Sequence, residues 1–599
     1  MEHAKLNEIY FSRAESNSLL TKKEKKILLT LSLLRLLVFV CGLGLTIFCF
    51  TFNVPAGIIS LFVSVGMFLF LLNRFVFHSV KRDFYANLET LNRNEIKALS
   101  GDLSPFENGS NWIDSDHDFS NDIDLFGDNS LFHFLNRTIS GYGRERLAGW
   151  LSSPSGLSAV LEKRQNAISE LASRLEWRQE FMAKGLGKSI NNDDIEGLLS
   201  WLIEKSGFFS SFFMKTIIWL SPVLTITSLV LVIISLVPYS LFIIFFILNL
   251  TIVGANLKKT NEIHIMVSKK HEFLMSLGRL LSSFENEPFS SEILVDFREK
   301  IYGGELSSVR SIEKLNRIIQ SFDSRLNFIV GFSLNGLLLW DLHCIKSLEQ
   351  WKNESKSQFP AWLEKLGELD AFLSLANFTF NNPSYPFPKL SESGEVFIAS
   401  EMGHPLINTT KRICNDFSIR DMGSIFIITG ANMSGKSTFL RTVAVNYILA
   451  MIGAPVCASK MNFTPLKLFT SMRTTDSLTQ NESYFYAELR RLKTLKTKLE
   501  EGEKILFVLD EILKGTNSLD KSTGSKLFMK KIIDLGGTGL IATHDTSLGD
   551  MEIEFPDRIK NKCFEIEING ENISFDYKLQ EGITRKMNAA LLMKQLGIV

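Results

Sequence analysis

Residues 430–438 read GANMSGKST, and they follow an apolar run at residues 424–429. The spacing G-x-x-x-x-G-K-[ST] at the end of a predicted strand is typical of a phosphate-binding loop. Its glycines allow backbone N–H groups to close around phosphate oxygens, and the positive end of the following helix points at the same place. Because such a loop joins a strand to a helix, the C-terminal third of the chain is predicted to be an α/β domain.

The loop also supplies the predicted nucleotide ligands. We expect the ammonium group of Lys436 to reach the β- and γ-phosphates, and the hydroxyl of Ser437 to bind Mg²⁺. The residues predicted to contact the nucleotide are Gly430, Ala431, Asn432, Met433, Ser434, Gly435, Lys436, Ser437 and Thr438.

Two later apolar segments end in residues that suit hydrolysis. Residues 505–509 precede Asp510 and Glu511, and residues 540–543 precede His544. Asp510 is expected to hold Mg²⁺ directly or through water, Glu511 to polarise the attacking water, and His544 to sense the γ-phosphate. Each segment alone could be a buried strand that ends in a polar turn. The three in this order predict a P-loop NTPase domain.

The predicted reaction is therefore the hydrolysis of ATP to ADP and phosphate, with ATP and Mg²⁺ as the bound groups. The predicted catalytic residues are Glu511, His544 and Lys436, and the predicted metal ligands are Ser437 and Asp510.

Two long stretches of the chain carry no charge. One lies between Arg35 and Arg74 and has 38 residues; the other lies between Lys215 and Lys258 and has 42. As helix, each would be roughly 60 Å long, which is two crossings of a hydrocarbon core of about 30 Å. Breaks near Pro55 and Pro238 divide each stretch. We predict four transmembrane helices in two hairpins, 29–52 with 54–72 and 217–237 with 239–255. Buried hairpins of a soluble protein are the alternative.

Basic residues flank these hairpins and are absent from their connecting turns. The positive-inside rule then places the soluble parts in the cytoplasm, as in a multi-pass protein of a bacterial-type inner or plasma membrane. The flanking residues are Lys22, Lys23, Lys25, Lys26, Lys81, Arg82, Lys205, Lys215, Lys258 and Lys259.

Composition excludes several other classes. Lys+Arg and Asp+Glu both number 65, so no global basic excess indicates nucleic-acid binding, although a local basic face is still possible because net charge averages over domains. The six cysteines are scattered without a C-x-x-C pair, which argues against a zinc site or a disulfide framework. Asp114, Asp116 and Asp118 resemble the start of a calcium loop. However, Phe119 stands where that loop needs Gly, so a solvated linker is predicted.

A chain of 599 residues is too long for a single core, so several units are expected. The predicted organisation is an N-terminal cytoplasmic segment 1–28, a transmembrane hairpin 29–72, a first part of a helical core 83–205, a second hairpin 217–255, a helical core and lever 260–390, an ATPase domain 395–570 and a helical tail 571–599.

With these residues placed, the chain resembles the MutS family of DNA mismatch-repair ATPases. Residues 429–441 look like that family's extended phosphate loop, and the Asn-Met pair inside the loop is more specific than the general motif. Residues 510–516 look like its metal-binding strand and following turn, and residues 542–544 match its switch histidine. Further similar segments are 124–127, 135–138, 143–147, 150–151, 403–406 and 452–456.

The resemblance implies an ATP-dependent dimer with an ABC-type ATPase domain and a helical core and lever domain. Ser483 lies where the family has its signature loop, and is implied to reach the nucleotide of the other subunit. Arg412 and Ile413 lie where the family holds the adenine base. An ordinary helix cap remains the alternative for Ser483, and plain loop residues for the other two.

The departures from the family are as informative. Asn481 and Tyr484 stand where the signature loop has Gly and Thr, and no segment resembles the family's mismatch-recognition or connector domain. ATP hydrolysis and dimerisation are expected to carry over, DNA binding is inherited by resemblance, and mismatch recognition is not expected. The predicted function is a membrane-anchored, MutS-like ATPase acting on DNA. An ATP-driven transporter and a nucleotide-gated membrane scaffold without DNA binding remain alternatives.

Overall fold

The computed structural model divides the chain into two compact units. Unit 1 contains Met1–Asp102, Thr138–Arg144 and Arg174–Asp370, and unit 2 contains Leu103–Arg137, Glu145–Ser173 and Ala371–Val599. The structure describes residues 2–154, 158–186, 192–204, 212–285, 287–302, 307–392, 394–473, 484–514, 517–569 and 572–584.

Helices account for most of the described chain. They are α1 (Glu2–Phe52), α2 (Val54–Leu99), α3 (Leu131–Leu135), α4 (Gly141–Ser152), α5 (Ser158–Ser173), α6 (Leu175–Gly185), α7 (Asn192–Ile203), α8 (Phe212–Ile233), α9 (Tyr239–Ala255), α10 (Leu257–Ser268), α11 (His271–Glu285), α12 (Glu292–Tyr302), α13 (Ser308–Asp323), α14 (Phe328–Leu338), α15 (Trp340–Ser355), α16 (Phe359–Asn381), α17 (Lys436–Met451), α18 (Tyr484–Glu500), α19 (Ser518–Asp534) and α20 (Met551–Glu554).

The strands all belong to unit 2. They are β1 (Lys389–Leu390), β2 (Phe397–Met402), β3 (Asn415–Ile419), β4 (Ile425–Gly430), β5 (Lys460–Phe463), β6 (Lys467–Ser471), β7 (Ile505–Asp510), β8 (Thr538–Thr543), β9 (Ile559–Phe564), β10 (Glu567–Asn569), β11 (Asn572–Ser574) and β12 (Leu579–Glu581).

In unit 1, α1 and α2 form a long antiparallel hairpin. They are separated by Asn53 alone, whose backbone is extended, and proline in the first turn of α2 suits a helix start. Small residues bring the two helices close, since a Cβ added to Gly57 would lie 2.5 Å from the ring of Phe50. The hydroxyls of Thr46 and Ser60 meet at 3.3 Å.

The predicted break of this hairpin is present, but its predicted helix bounds are too short. Residues 1–28 are not a separate segment, because α1 runs unbroken from Glu2 to Phe52, and α2 continues from 72 to Leu99. Neither 2–28 nor 75–99 contains a glycine or proline that would end a helix.

A second apolar group in unit 1 consists of α8, α9 and α14. α8 ends at Ile233, four residues before the predicted boundary, where the chain turns and Ser235 takes a left-handed φ of 60°. Buried Asn249 on α9 joins the group: its Oδ1 accepts from Ser221 on α8, and its Nδ2 donates to the Gly336 carbonyl on α14 at 2.8 Å. α14 was not foreseen as part of a hairpin.

By length and composition, three described helices could cross a membrane: His3–Phe52, Val54–Leu99 and Met214–Ile233. Two bent pairs raise the number to five, namely Tyr239–Ala255 with Leu257–Ser268 at 64°, and Phe328–Leu338 with Trp340–Ser355 at 79°. The sequence predicted four spans. The difference arises because α9 has 17 residues and α14 has 11, so each reaches span length only with the helix that follows it.

Unit 2 is built on a six-stranded sheet with the order β12-β9-β4-β8-β7-β6. The five strands from β9 to β6 are parallel to their neighbours, and β12 joins the edge antiparallel to β9. All six residues of β4, of β7 and of β8 are buried, which explains why apolar residues dominate their sequences. A smaller sheet has the strand order β1-β5-β2-β3.

Two predictions fail in unit 2. The acidic stretch is solvated only around residues 114–116; from His117 onward it packs on the α/β domain. Arg491 donates to the carbonyls of His117 and Asp118, and Asp122 accepts from the hydroxyl of Thr470 at 2.5 Å. The observed division into domains therefore differs from the predicted one, because residues 103–137 and 145–173 cluster with the sheet domain.

The helical tail predicted for 571–599 is also wrong in its described part. β12 pairs with Lys562–Phe564, so the open edge of β9 recruits this segment as a strand. Residues 585–599 lie outside the described residues.

Candidate functional site

The loop between β4 and α17 contains two residues with left-handed backbone conformations. Gly435 caps α17 with a φ of 104°, and Met433, two residues earlier, also has a left-handed φ, 66°. A side chain at Gly435 would be strained by this φ, and its Cβ would lie 3.0 Å from Tyr577. Left-handed residues in such a loop turn successive N–H groups toward one concavity, which is a geometry for binding anions.

Lys436 is the first residue of α17, and its ammonium group folds back over the loop. Its Nζ donates to the carbonyls of Gly430 at 2.9 Å and Ala431 at 3.0 Å. Burial lowers the pKa of Lys436, and the carboxylates of Glu511 and Asp510 partly offset that effect. The backbone carbonyl groups of the loop thus hold the ammonium group of Lys436 in place.

The next residue, Ser437, meets the end of β7. Its hydroxyl donates to Oδ2 of Asp510 at 2.5 Å. The other carboxylate oxygen of Asp510, Oδ1, is buried and has no hydrogen-bond partner among the described residues. The two side chains therefore leave a buried acceptor beside the loop.

Glu511 and His544 form a pair across the ends of neighbouring strands β7 and β8. Nε2 of His544 lies 2.5 Å from Oε1 of Glu511, and Nδ1 of His544 lies 2.9 Å from the Gly430 carbonyl. The hydrogen bond from His544 holds the pKa of Glu511 down at about 2, against the opposing effect of burial. The carboxylate is therefore ionised at neutral pH.

A buried carboxylate holds the turn that follows Glu511. Glu511 and Leu513 both have left-handed φ values, 54° and 61°. Glu488 on α18 accepts from the backbone N–H of Leu513 at 2.5 Å and of Lys514 at 3.0 Å. Such conformations persist only where neighbouring groups over-determine them, and Glu488 supplies that restraint.

Lys436, Ser437 and Glu511 line one cavity of about 540 Å³, which is within the range of small-molecule sites. Asp510 and His544 do not line it themselves, but each contacts a residue that does. The loop and Glu511 line this cavity, and so do the apolar or aromatic side chains of Met402, Phe439 and Tyr577, here called the apolar wall. The predicted residue Ile413 lines the cavity as well, and its side chain is 42 % exposed.

The structure thus brings together the loop, Asp510, Glu511 and His544 as the sequence predicted. Arg412 is not among the residues that line the cavity. Its guanidinium donates to the Ile407 carbonyl and to the Tyr385 hydroxyl, which fixes the loop before β3. Ser483 lies outside the described residues, so its predicted role is not addressed.

Sequence reasoning missed several residues at the site, including His404, Tyr577 and Glu488. His404 lines the cavity, and burial together with Arg441 and Arg412 lowers its pKa to about 4, so it is neutral at pH 7. The similarity of segment 403–406 to the family does not predict this role. Tyr577 and Glu488 gave no local signal, since their positions depend on β12 and α18 packing at the site.

The parallel sheet, the loop between β4 and α17, and the carboxylates at the end of β7 define an α/β domain whose site suits an anionic ligand. Two family models match the chain: MutS domain III over residues 113–376 and MutS domain V over residues 426–594. Together they cover more than half of it. The chain belongs to the MutS family.

Individual relatives agree with this assignment. The DNA mismatch repair protein MutS of Thermotoga petrophila is 32 % identical over 238 residues, which is 39 % of this chain and 29 % of that protein. The human MutS protein homolog 4 is 30 % identical over 234 residues, 37 % of this chain and 24 % of the relative. The chain thus matches less than a third of the length of these relatives. These matches do not favour the transporter or scaffold alternatives.

Proposed function

We propose that this protein is a membrane-anchored, MutS-like ATPase that binds ATP and Mg²⁺ and hydrolyses the nucleotide. The observation that carries the proposal is that Lys436, Ser437 and Glu511 line one cavity together with the β4–α17 loop. Asp510 is paired with Ser437, and His544 with Glu511. Three separate strand ends supply these groups, and a purely structural turn would need none of them.

The residues present fit a magnesium ion. A hydroxyl and a carboxylate in direct contact, with the second carboxylate oxygen buried and unpartnered, are the oxygen ligands that Mg²⁺ prefers. Ser437 and Asp510 would hold the ion, which when bound would neutralise charge on the β- and γ-phosphates.

The other side chains have separate roles in this proposal. Lys436 supplies positive charge that the loop carbonyls hold in place. Glu511 is ionised and lines the cavity, so it can accept a hydrogen bond from an attacking water and orient it. His544 ties Glu511 to the Gly430 carbonyl, and so couples the state of the loop to the position of that carboxylate.

Ile413, with Met402 and Tyr577 on the apolar wall, is positioned to contact the base of the nucleotide. Neutral His404 adds a polar ring without adding charge to this wall.

Dimerisation and action on DNA are proposed from the relatives, whose names describe DNA mismatch repair proteins. Ser483 is proposed to reach the nucleotide of a second copy. Some contacts to phosphate and Mg²⁺ would exist in only one nucleotide state. These contacts would switch the helices of unit 1 between conformations.

The membrane anchor is supported by exposed apolar surface. In α1 and α2, between residues 33 and 72, large apolar side chains face outward; Phe62 is 74 % exposed. In a soluble monomer the largest apolar patches are a few hundred Å². We propose that α1, α2, α8 and α9 lie in the bilayer, with α14 as a half-length apolar helix beside them. The flanking lysines then place unit 2 and the remaining helices of unit 1 in the cytoplasm.

The test is ATP turnover by the full-length protein in lipid nanodiscs. Lys436→Ala should abolish nucleotide binding and turnover, whereas Glu511→Gln should keep binding and lose turnover by at least roughly 100-fold. Lys530→Ala, which removes an exposed cation on α19, is the control and should behave as wild type. If Lys436→Ala hydrolyses ATP at the wild-type rate, the proposed site is wrong.

Addition of homoduplex, mismatched duplex or a four-way junction at one stated salt concentration tests the DNA role separately. Stimulation by one structure, lost in Lys436→Ala, would support it. Turnover without any DNA response or DNA binding would leave the ATPase and remove DNA from the proposal.

A further inference from the structure

Unit 1 contains a second cavity of about 680 Å³, in the groove between α13 and α15. Three cations line it from a single face of α13: Arg310, Lys314 and Arg317, at positions i, i+4 and i+7. Serine hydroxyls border it on both helices, among them Ser347 on α15. No carboxylate is among the described residues that line this groove.

Two of the three cations are not neutralised nearby. Lys314 pairs with Glu354 at 2.7 Å, at the rim of the groove. For Arg310 and Arg317, the described part of the chain contains no carboxylate within ion-pair distance. Both arginines are also exposed to solvent. The groove therefore combines hydroxyl donors with uncompensated guanidinium groups, which is the chemistry that recognises a phosphate diester.

One end of the groove adjoins the apolar helices. Trp340, at the bend between α14 and α15, lines the groove and donates from Nε1 to the Ser321 carbonyl at 2.8 Å. On the far side of that bend α14 is strongly exposed and apolar; Phe328 is 81 % exposed. Trp219 near the start of α8 lies under the ammonium group of Lys346, 4.4 Å from the ring centre.

This arrangement indicates where the groove lies relative to the membrane. Tryptophan and lysine at the ends of apolar helices mark the boundary between hydrocarbon and water, where lipid headgroups lie. A basic pocket beside membrane helices on the cytoplasmic side is suited to an anionic headgroup. We propose that the α13–α15 groove binds the phosphodiester headgroup of an anionic phospholipid. This inference rests on the membrane anchoring proposed above.

The test compares full-length proteins reconstituted in nanodiscs of equal parts phosphatidylcholine and phosphatidylglycerol, then extracted into mild detergent. Native mass spectrometry counts the lipids that remain bound. Wild type should retain phosphatidylglycerol selectively, and Arg310→Gln with Arg317→Gln should reduce that retention roughly tenfold or more. The charge-matched control, Arg93→Gln with Lys300→Gln, removes two exposed cations elsewhere in unit 1 and should retain it. Replacing both groove arginines by lysine should preserve much of the retention.

Three further arms separate the causes of failure. Carbonate extraction of native membranes reports the anchor itself: release of wild type would overturn both the anchor and the lipid site. If wild type stays in the membrane but retains both lipids equally, the groove proposal alone is wrong. Inorganic phosphate at millimolar concentration should not displace the lipid. Displacement would identify a free-phosphate site instead. Loss of duplex DNA binding in the glutamine variant, with lipid retention unchanged, would assign the groove to DNA.

Discussion

Asp124 and Arg441 lie 317 positions apart in the chain and form an ion pair, with Oδ2 of the aspartate 3.1 Å from Nη1 of the arginine. Arg441 is on α17, just over one turn beyond Lys436. Asp124 also accepts from Arg473, at the end of the described segment that follows β6. A residue from the acidic stretch thus bridges α17, the helix that follows the β4–α17 loop, and the segment that leads to Ser483.

Asp124→Asn should weaken that bridge. Because the pair is partly exposed, its loss is expected to cost about 1 kcal/mol, which corresponds to roughly a fivefold change in an equilibrium. We expect ATP turnover to fall by up to that factor while nucleotide affinity changes less. Asp116→Asn on the same stretch, where the carboxylate is well exposed, is the control. Equal turnover in the two variants would show that the bridge has no role in the site.

Glu488→Gln tests the turn that carries Glu511. An amide has one acceptor oxygen in place of two, so one of the N–H groups of Leu513 and Lys514 loses its partner, at a cost of about 1–3 kcal/mol. The left-handed conformation of Glu511 should relax, and turnover should fall at least tenfold with ATP binding retained. Glu500→Gln at the exposed end of α18 is the control. Binding lost together with turnover would indicate general unfolding of the domain.

The site was predictable because each of its parts follows a recognisable strand. Lys436 and His544 come after β4 and β8, and Asp510 is the last residue of β7. These strands are adjacent and parallel, so their carboxyl ends meet at one edge. Short apolar runs identified those strands, and motif spacing identified the residues after them.

The contacts of the acidic stretch were not predictable in the same way. Asp118 pairs with Lys498 and Asp122 with Thr470, about 350 to 380 positions away, and no local pattern encodes such partners. The bounds of α1 and α2 were missed for another reason: hydropathy identifies the apolar part of a helix but not its polar extension. α14 was not predicted to join the other apolar helices, because its 11 residues are too few to predict a membrane span.

Asn249→Leu tests the packing of α8, α9 and α14. The amide of Asn249 donates to the Thr225 hydroxyl and to the Gly336 carbonyl, and its oxygen accepts from Ser221. Interhelical hydrogen bonds of this kind contribute about 0.6–2 kcal/mol each in membranes. We expect the thermal unfolding temperature in detergent to fall by several degrees. Asn256→Leu, whose amide bonds only one turn back in its own helix, should have a smaller effect. Equal effects would contradict a bridging role for Asn249.

Asp370 near the middle of α16 makes another buried contact, with the start of α4. Its carboxylate accepts from the backbone N–H groups of Ile139 and Ser140 and from the Ser140 hydroxyl at 2.6 Å. Burial is the largest influence and raises the pKa of Asp370 to about 6, although these hydrogen bonds act in the opposite direction.

This shift predicts a pH dependence of stability with a definite sign. The folded state binds the proton of Asp370 more tightly than the unfolded state, in which a carboxyl titrates near 3.9. The contribution of Asp370 to the free energy of unfolding is therefore complete below about pH 4, is lost as the pH rises to about 6, and stays constant at higher pH. A pKa shift of this size corresponds to roughly 3 kcal/mol. Asp370→Asn cannot ionise, so the unfolding free energy of wild type minus that of the variant should fall between pH 4 and 6. Denaturant titrations of the detergent-solubilised protein at pH 4, 5, 6 and 7 measure that difference. A difference that stays constant would mean that the hydrogen bonds from Ile139 and Ser140 balance the effect of burial, so that the pKa is not shifted. A difference that rises with pH would mean that these hydrogen bonds outweigh burial and that the carboxylate is the form held in the fold.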